Sequence, residues 1–287
     1  MKSLLICPDK RLSMAAITEQ LPLAQFPVLG QSLVEYWLTH LACNGIKQVA
    51  IVANDRPESM KALVGDGARW GIELEVIPEL RELTPAEALN KYESILQSGK
   101  DSVTLMDHFP GLPEHPLFES PAEFFAGIRT WMPKSRMPDR VGVRELSEGV
   151  WSAQNARVSP EAIVQAPCWL GKNVLVSNHA IIGPGTILED GSFIESEAEV
   201  VDSYIGPDTL VGRGITIKDS IAWGSTLINW KTGSVAQVPD AFILCSLRRP
   251  QHAGALKWLQ RVTEICIPAK EDELFIKDLL INKESSP

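Results

Sequence analysis

The sequence predicts an α/β domain with a parallel sheet, followed by a hexapeptide-repeat β-helix and a short helical tail. Three observations carry this. From Val158 to Val200 an aliphatic residue stands at every sixth position: Val158, Val164, Leu170, Val176, Ile182, Leu188, Ile194 and Val200. Four residues after each of the first seven comes a small or thin one: Ala162, Cys168, Val174, Ala180, Thr186, Ser192 and Ala198. Upstream of Met106, short apolar runs alternate with amphipathic ones, which is the pattern of a parallel sheet with helical crossovers.

A period of six matches neither the helix at about 3.6 residues nor the strand at about 2. It fits a chain coiled as a prism, in which each six-residue unit supplies a short strand and a corner. The aliphatic residue points inward, and the small one is expected where the backbone turns tightly. The frame slips by one between Val200 and Ile205, then resumes as Ile205, Val211, Ile217 and Trp223, with Asn229 in the next inward slot. About eighteen residues make one triangular turn, so four to five turns fit between Val158 and Leu247.

In the first half, Leu4 to Cys7 reads as a strand. Ser32 to Cys43 is an amphipathic helix carrying Leu33, Trp37, Leu38 and Leu41 on one side, stopped by Asn44-Gly45. Gln48 to Ala53 is a continuous apolar strand, the kind buried on both faces. Ser59 to Trp70 reads as helix, Ile72 to Ile77 as strand, Pro85 to Gln97 as helix with proline in its first turn, and Ser102 to Met106 as strand. Four prolines, Pro110, Pro113, Pro116 and Pro121, then break regularity before a short helix around Ala122 to Trp131. A further strand is expected at Arg140 to Arg144, and tail helices at Ala253 to Ile265 and Asp272 to Leu280. The tail helices are expected to cap the open strand stack, with Asn282 to Pro287 disordered. Three segments follow: 1–150, 151–247 and 248–287.

The chain has 287 residues and a net charge of -9. That charge argues against a nucleic-acid or anionic-membrane partner, because phosphate binding needs a clustered positive field. Arg248 and Arg249 with Lys257 and Arg261 are the only basic group of note, and they read as a solvated helix face. No run approaches the ~20 apolar residues needed to span a bilayer, and the start does not read as a signal peptide. The five cysteines are scattered, with no C-x-x-C pair, and read as reduced, mostly buried thiols of a cytoplasmic protein.

Pro22-Leu23-Ala24-Gln25-Phe26-Pro27-Val28-Leu29-Gly30-Gln31-Ser32-Leu33-Val34-Glu35-Tyr36-Trp37-Leu38 resembles "PKPLLPVxGKPLIEYxL". Asn44-Gly45-Ile46-Lys47-Gln48-Val49 resembles "AGIxEV", and Thr84-Pro85-Ala86-Glu87-Ala88-Leu89 resembles "GTAGAL". These are motifs of the sugar-phosphate nucleotidyltransferases, or nucleotide-sugar pyrophosphorylases. The resemblance implies a shortened Rossmann-like nucleotidyltransferase domain followed by a left-handed β-helix. The segments Tyr204 to Gly212, Ile217 to Ile221 and Leu227 to Gly233 further resemble bacterial members linked with exopolysaccharide assembly.

In that family a sugar-1-phosphate oxygen displaces pyrophosphate from the α-phosphorus of a nucleoside triphosphate. The resemblance implies a glycine-rich loop whose N–H groups hold the triphosphate. It also implies a lysine and an arginine that neutralise charge, and two aspartates that hold Mg²⁺. Here the loop is Cys7-Pro8-Asp9-Lys10-Arg11-Leu12, without glycine, and Pro8 removes an N–H donor. Leu23 stands where the lysine belongs. Arg11 aligns with the arginine and Asp107 with the first metal aspartate, and Asp139 is the nearest candidate for the second. Lys10, Thr84 and His108 are candidate ligand contacts; His108 ends a strand where α/β sheets bind ligands. Glu35 and Tyr36 either line the sugar side or belong to a solvated face.

These departures predict a nucleotidyltransferase-like pseudo-enzyme, an accessory or regulatory member in bacterial nucleotide-sugar and exopolysaccharide biosynthesis. It would bind a nucleotide or sugar phosphate and assemble as a homo-oligomer or with a catalytic homologue. Two alternatives stay open. One is an active transferase making an NDP-sugar with Mg²⁺, using Lys10, Arg11 and Asp107. The other is a hexapeptide-repeat acyltransferase with His179 as general base. Trp223 and Trp230, near the frayed end of the coils, are expected either in an oligomer contact or beneath the tail.

Overall fold

A computed structural model of the chain describes residues 2–18, 21–93, 96, 102–135 and 142–248. The expected tail helices at 253–265 and 272–280, the disorder at 282–287, and Asp139 lie outside these residues, as do residues 140–141; the strand expected at 140–144 is found instead at Arg144–Ser147.

The first half builds a four-stranded sheet. Its elements are β1 (Lys2–Ile6), α1 (Leu33–Cys43), β2 (Gln48–Ala53), α2 (Pro57–Val64), β3 (Glu73–Pro78), α3 (Pro85–Lys91), β4 (Ser102–Leu105) and α4 (Pro121–Trp131). The strands run parallel in the order β3-β2-β1-β4. Each central strand feeds two cores. Leu5, Val49 and Ile51 enter the large cluster shared with α1 and α4, whereas Leu4, Ile6, Ala50 and Val52 enter a smaller one with Leu83 and Ala88. This is why β1 and β2 read as unbroken apolar runs.

Helix α1 starts at a capping box, in which the Ser32 N–H donates to the Glu35 carboxylate at 2.9 Å, and Gly45 follows it with φ 76°. The helix expected over 59–70 is shorter. Gly65 and Gly67 adopt φ 60° and 83°, which ends α2 at Val64 and leaves a separate 3-10 turn at Ala68–Trp70.

The second half is a parallel β-helix of three faces. One face stacks Val150–Ser152, Cys168–Leu170, Thr186–Leu188, Tyr204–Ile205 and Ser220–Trp223. The other two carry four parallel rungs each. The aliphatic series is the core of the prism: Leu170, Val176, Ile182, Leu188, Ile194, Val200, Ile205, Val211 and Ile217 are all buried. The small series from Cys168 to Ala198 is buried too. The tight corners fall one residue earlier than expected, at Asn173, His179, Gly185, Gly191 and Glu197, all with positive φ.

Two details differ from the expected frame. The coils begin at Val150 rather than Val158. A second one-residue slip follows Ile217, so that Ala222 rather than Trp223 enters the prism. The parallel coils then stop at Trp223, not near Leu247. Thr226–Asn229 and Val235–Gln237 add antiparallel to one face, and Leu244–Ser246 adds antiparallel to another. Asn229 therefore belongs to a hairpin, where its side chain accepts the Thr232 N–H at 3.0 Å. These strands shield the last parallel edges.

The two halves share one core, and Met1–Ser246 form one compact unit. The outer side of one prism face, which would normally be polar, carries a cross-strand ladder of Trp151, Trp169, Ile187, Tyr204, Ile221 and Ile228. All six are buried in the same cluster as α1 and α4. Phe26 sits at the join, with ring centroids 5.2 Å from Phe124, 4.7 Å from Trp223 and 6.5 Å from Tyr204. Trp230 stacks on Phe125 at 4.8 Å. Trp223 and Trp230 thus pack against the α/β half of their own chain.

A second join is polar. The hairpin of Pro27–Val28 and Gln31–Ser32 turns at Leu29 and Gly30, with φ 51° and 75°. Their N–H groups donate to the two oxygens of Glu189, a fully buried residue of the prism, at 2.5 and 2.9 Å. The Tyr204 hydroxyl donates to the Pro27 carbonyl at 2.9 Å.

Candidate functional site

The chain leaves β1 toward β2 and β3 on one side, while β4 lies on the other side of β1. The crevice outside the carboxyl ends of β1 and β4 is therefore the topological switch point of the sheet, where open α/β folds bind ligands. The loops that meet there carry Asp9, Lys10 and Arg11 after β1, Glu82 after β3, and Asp107 and His108 after β4.

Arg11 does not stand free. Its guanidinium grips both oxygens of Glu82, with Nη2 to Oε1 and Nη1 to Oε2 each at 2.9 Å. The same carboxylate accepts the Asp9 N–H at 2.6 Å, and Arg11 Nη1 donates to the Asp9 carbonyl at 3.1 Å. The arginine pKa is raised, first by the Glu82 hydrogen bond, against a smaller opposing effect of burial, and then by the charges of Glu82, Asp9 and Asp107. One guanidinium thus faces three carboxylates.

Asp107 Oδ1 and His108 Nδ1 are 2.6 Å apart. The His108 ring meets Trp37 edge-on at 5.3 Å, and the Trp37 indole donates to the His108 carbonyl at 2.9 Å. Buried Met106 and Phe109 flank the pair and fix this strand end. Lys10 is exposed on the neighbouring loop. Thr84 is the N-cap of α3: its hydroxyl accepts the Glu87 N–H at 3.3 Å, and Glu87 returns a bond to the Thr84 N–H at 2.9 Å.

Leu23 is 2 % exposed and belongs to the large core. The Tyr36 hydroxyl donates to the Val28 carbonyl, and Glu35 pairs with Arg69 at 2.6 Å. Both side chains hold local structure. His179 lies remote in the sequence, on a coil corner with φ 58°, exposed and 3.5 Å from Glu161.

A magnesium ion needs several oxygen ligands in near-octahedral array. Among the described residues no three His, Cys, Asp or Glu side chains come together in a way that could hold a metal. Asp107 offers one carboxylate, already engaged by His108.

The thiols are not placed for chemistry at this site. Cys7, although it borders the loop, is buried, as is Cys168; Cys43 is exposed and Cys245 half-buried, and none of these four forms a disulfide. Burial pushes the Cys7 thiol up, with a smaller push from the Asp55 charge, and burial alone pushes up Cys168. Each therefore stays protonated in the fold but ionises on unfolding above about pH 8.5. This part of the stability is full below that pH and is lost as pH rises, at about 1.4 kcal/mol per pH unit per thiol. Denaturant midpoints measured from pH 7 to 10 should fall accordingly, and Cys168→Ala should flatten the fall.

Sequence reasoning missed Glu82 and Glu189. A signal for Glu82 existed in its place two residues before the Thr84 cap, on the loop leaving a predicted strand. Glu189 follows an inward Leu188, where only its total burial reveals a role. Residues 11–118 match the family model described as nucleotidyl transferase. That span runs from Arg11 past Asp107 to the end of the loop after β4, so the α/β half of this chain is a nucleotidyltransferase-like domain, with a β-helix packed against it.

Proposed function

We propose that this chain is a catalytically lapsed nucleotidyltransferase-like protein, an accessory or regulatory member in bacterial nucleotide-sugar and exopolysaccharide biosynthesis in the cytoplasm. The observation that carries the reading is the commitment of the loop after β1: its guanidinium and its Asp9 amide are bound by the chain's own Glu82. A triphosphate needs those donors. Buried Leu23, in place of the lysine, supports the same conclusion. Removal of one transition-state donor typically costs about 3 kcal/mol, roughly a hundredfold in rate, and groups that work as a unit fail together.

A pyrophosphate-release assay with the four common nucleoside triphosphates, a panel of sugar-1-phosphates and Mg²⁺ tests this. The expected result is release no faster than in an Arg11→Ala control. Sustained turnover that Arg11→Ala abolishes would overturn the proposal and restore the active transferase. The accessory role further implies a partner, a second copy or a catalytic homologue, which sedimentation with and without the homologue would detect.

A further inference from the structure

We propose that the cleft between helix α4 and Trp230 is a binding site for a neutral sugar ring, separate from the crevice at the carboxyl ends of the sheet. The cleft shares no lining residue with that crevice, so it stands whether or not nucleotidyl transfer has lapsed.

The cleft has a volume of about 400 Å³ and is lined by Ala122, Phe125, Ala126, Arg129 and Thr130 of α4 and by Trp230 of the β-helix half. The helix sequence makes the space. Residues 122, 126 and 130 are spaced by four and share one side of α4, and the two alanines leave room that longer side chains would fill. Phe125 and Trp230, stacked at 4.8 Å, form an aromatic wall. Asp202 holds the polar part in place. Its carbonyl accepts the Trp230 indole N–H at 2.8 Å, and its carboxylate accepts Arg129 Nη1 at 3.2 Å. A side chain at Gly185 would collide with that carboxylate, so the glycine at this corner leaves the Arg129–Asp202 couple its place.

Charge decides the ligand class. Arg129 lies over the Phe125 ring at 5.7 Å and is balanced by Asp202. Lys231, at the border of the cleft, lies over the Trp230 ring at 5.2 Å and is balanced by Asp219 at 2.8 Å. An anion would have to displace one of these aspartates. A hydrocarbon would cover the couple without pairing its polar atoms, which is costly. A pyranose meets both demands. Its C–H groups pack on an aromatic wall, whose rings carry a negative face. Its hydroxyls both donate and accept, so they can bridge the guanidinium, the carboxylate and the Thr130 hydroxyl. The Arg129 and Asp202 side chains keep 44 % and 35 % of their surface exposed, which leaves donor and acceptor positions open to a ligand. A mostly apolar wall with a few fixed polar groups is the usual make of a small-molecule site.

Saturation-transfer NMR on the full chain, with glucose, galactose, mannose and N-acetylglucosamine as probes, tests the site. At least one sugar is expected to bind, with transfer strongest to its ring C–H protons. Its affinity should change by less than about twofold between roughly 50 and 500 mM salt, because a neutral ligand feels little screening. Ala126→Leu fills the cleft from an exposed position, and leucine is nearly as good a helix former as alanine. It should weaken the sugar at least tenfold, and it decides the matter if Arg129→Leu does not fold. Arg129→Leu, which breaks the couple, should weaken it by a similar factor. Transfer to none of the four sugars, or binding that either folded variant leaves intact, would overturn the site. Steep salt dependence would overturn the neutral class. So would uridine or inorganic phosphate binding more tightly than any sugar and losing that binding in the same variants.

Discussion

Phe26→Ala is expected to destabilise the protein by about 3–5 kcal/mol, the range for emptying a buried aromatic site. Phe26 is fully buried and lies between Phe124 of the α/β half and Trp223 of the β-helix. The cavity therefore opens at the joint of the two halves, where neither side can collapse alone. Denaturant unfolding should show a single transition in the unaltered protein, shifted to lower denaturant in the variant. Circular dichroism would follow the whole fold and tryptophan fluorescence the joint. Leu12→Ala, at a side chain 97 % exposed, should change stability by no more than about 0.5 kcal/mol. A Phe26→Ala loss as small as that control would mean that the aromatic joint is not a packed core.

Glu189→Leu should be nearly as damaging, for a different reason. It strands the N–H group of buried Leu29, at about 1–3 kcal/mol for an unsatisfied donor, and removes the partner of the half-buried Gly30 N–H. Leu29 already holds a left-handed backbone, φ 51°, which a branched residue rarely adopts without compensation. Losing the carboxylate removes what holds that turn. Amide exchange at Leu29 and Gly30 should accelerate sharply in the variant, while amides in β1 and β2 slow or hasten only with global stability. Equal protection of the hairpin in both proteins would refute its dependence on Glu189.

Much of the fold could be read from the residues because each side chain answers to one rhythm. Gln48–Ala53 is strand over the residues expected, and the series of Leu170, Val176, Ile182 and Leu188 lines the prism as its period requires. The coil ends were less legible. A closing strand is antiparallel, so residues such as Leu227 and Ile228 no longer keep the six-residue spacing. Trp223 misled for the same reason, since one deleted residue moves it from inside to outside. The joint between the halves left a trace that a six-residue reading passes over. Trp151, Trp169, Ile187, Tyr204 and Ile221 recur at one turn of the coil, outward, on one face only. At the candidate site Arg11 and Asp107 were recognisable by their place in the motif. Glu82 was not, because its role comes from a contact across 71 residues of chain that no local pattern encodes.

The apolar ladder on the prism bears on how such a protein can be rearranged by recombination. Severed before Val150, the coils would present two indole rings, a phenol and three isoleucines to water on a stack of strands, the kind of bare patch that drives self-association. Neither half is then a free module. A gene that acquires only one of them must also acquire something to cover the seam.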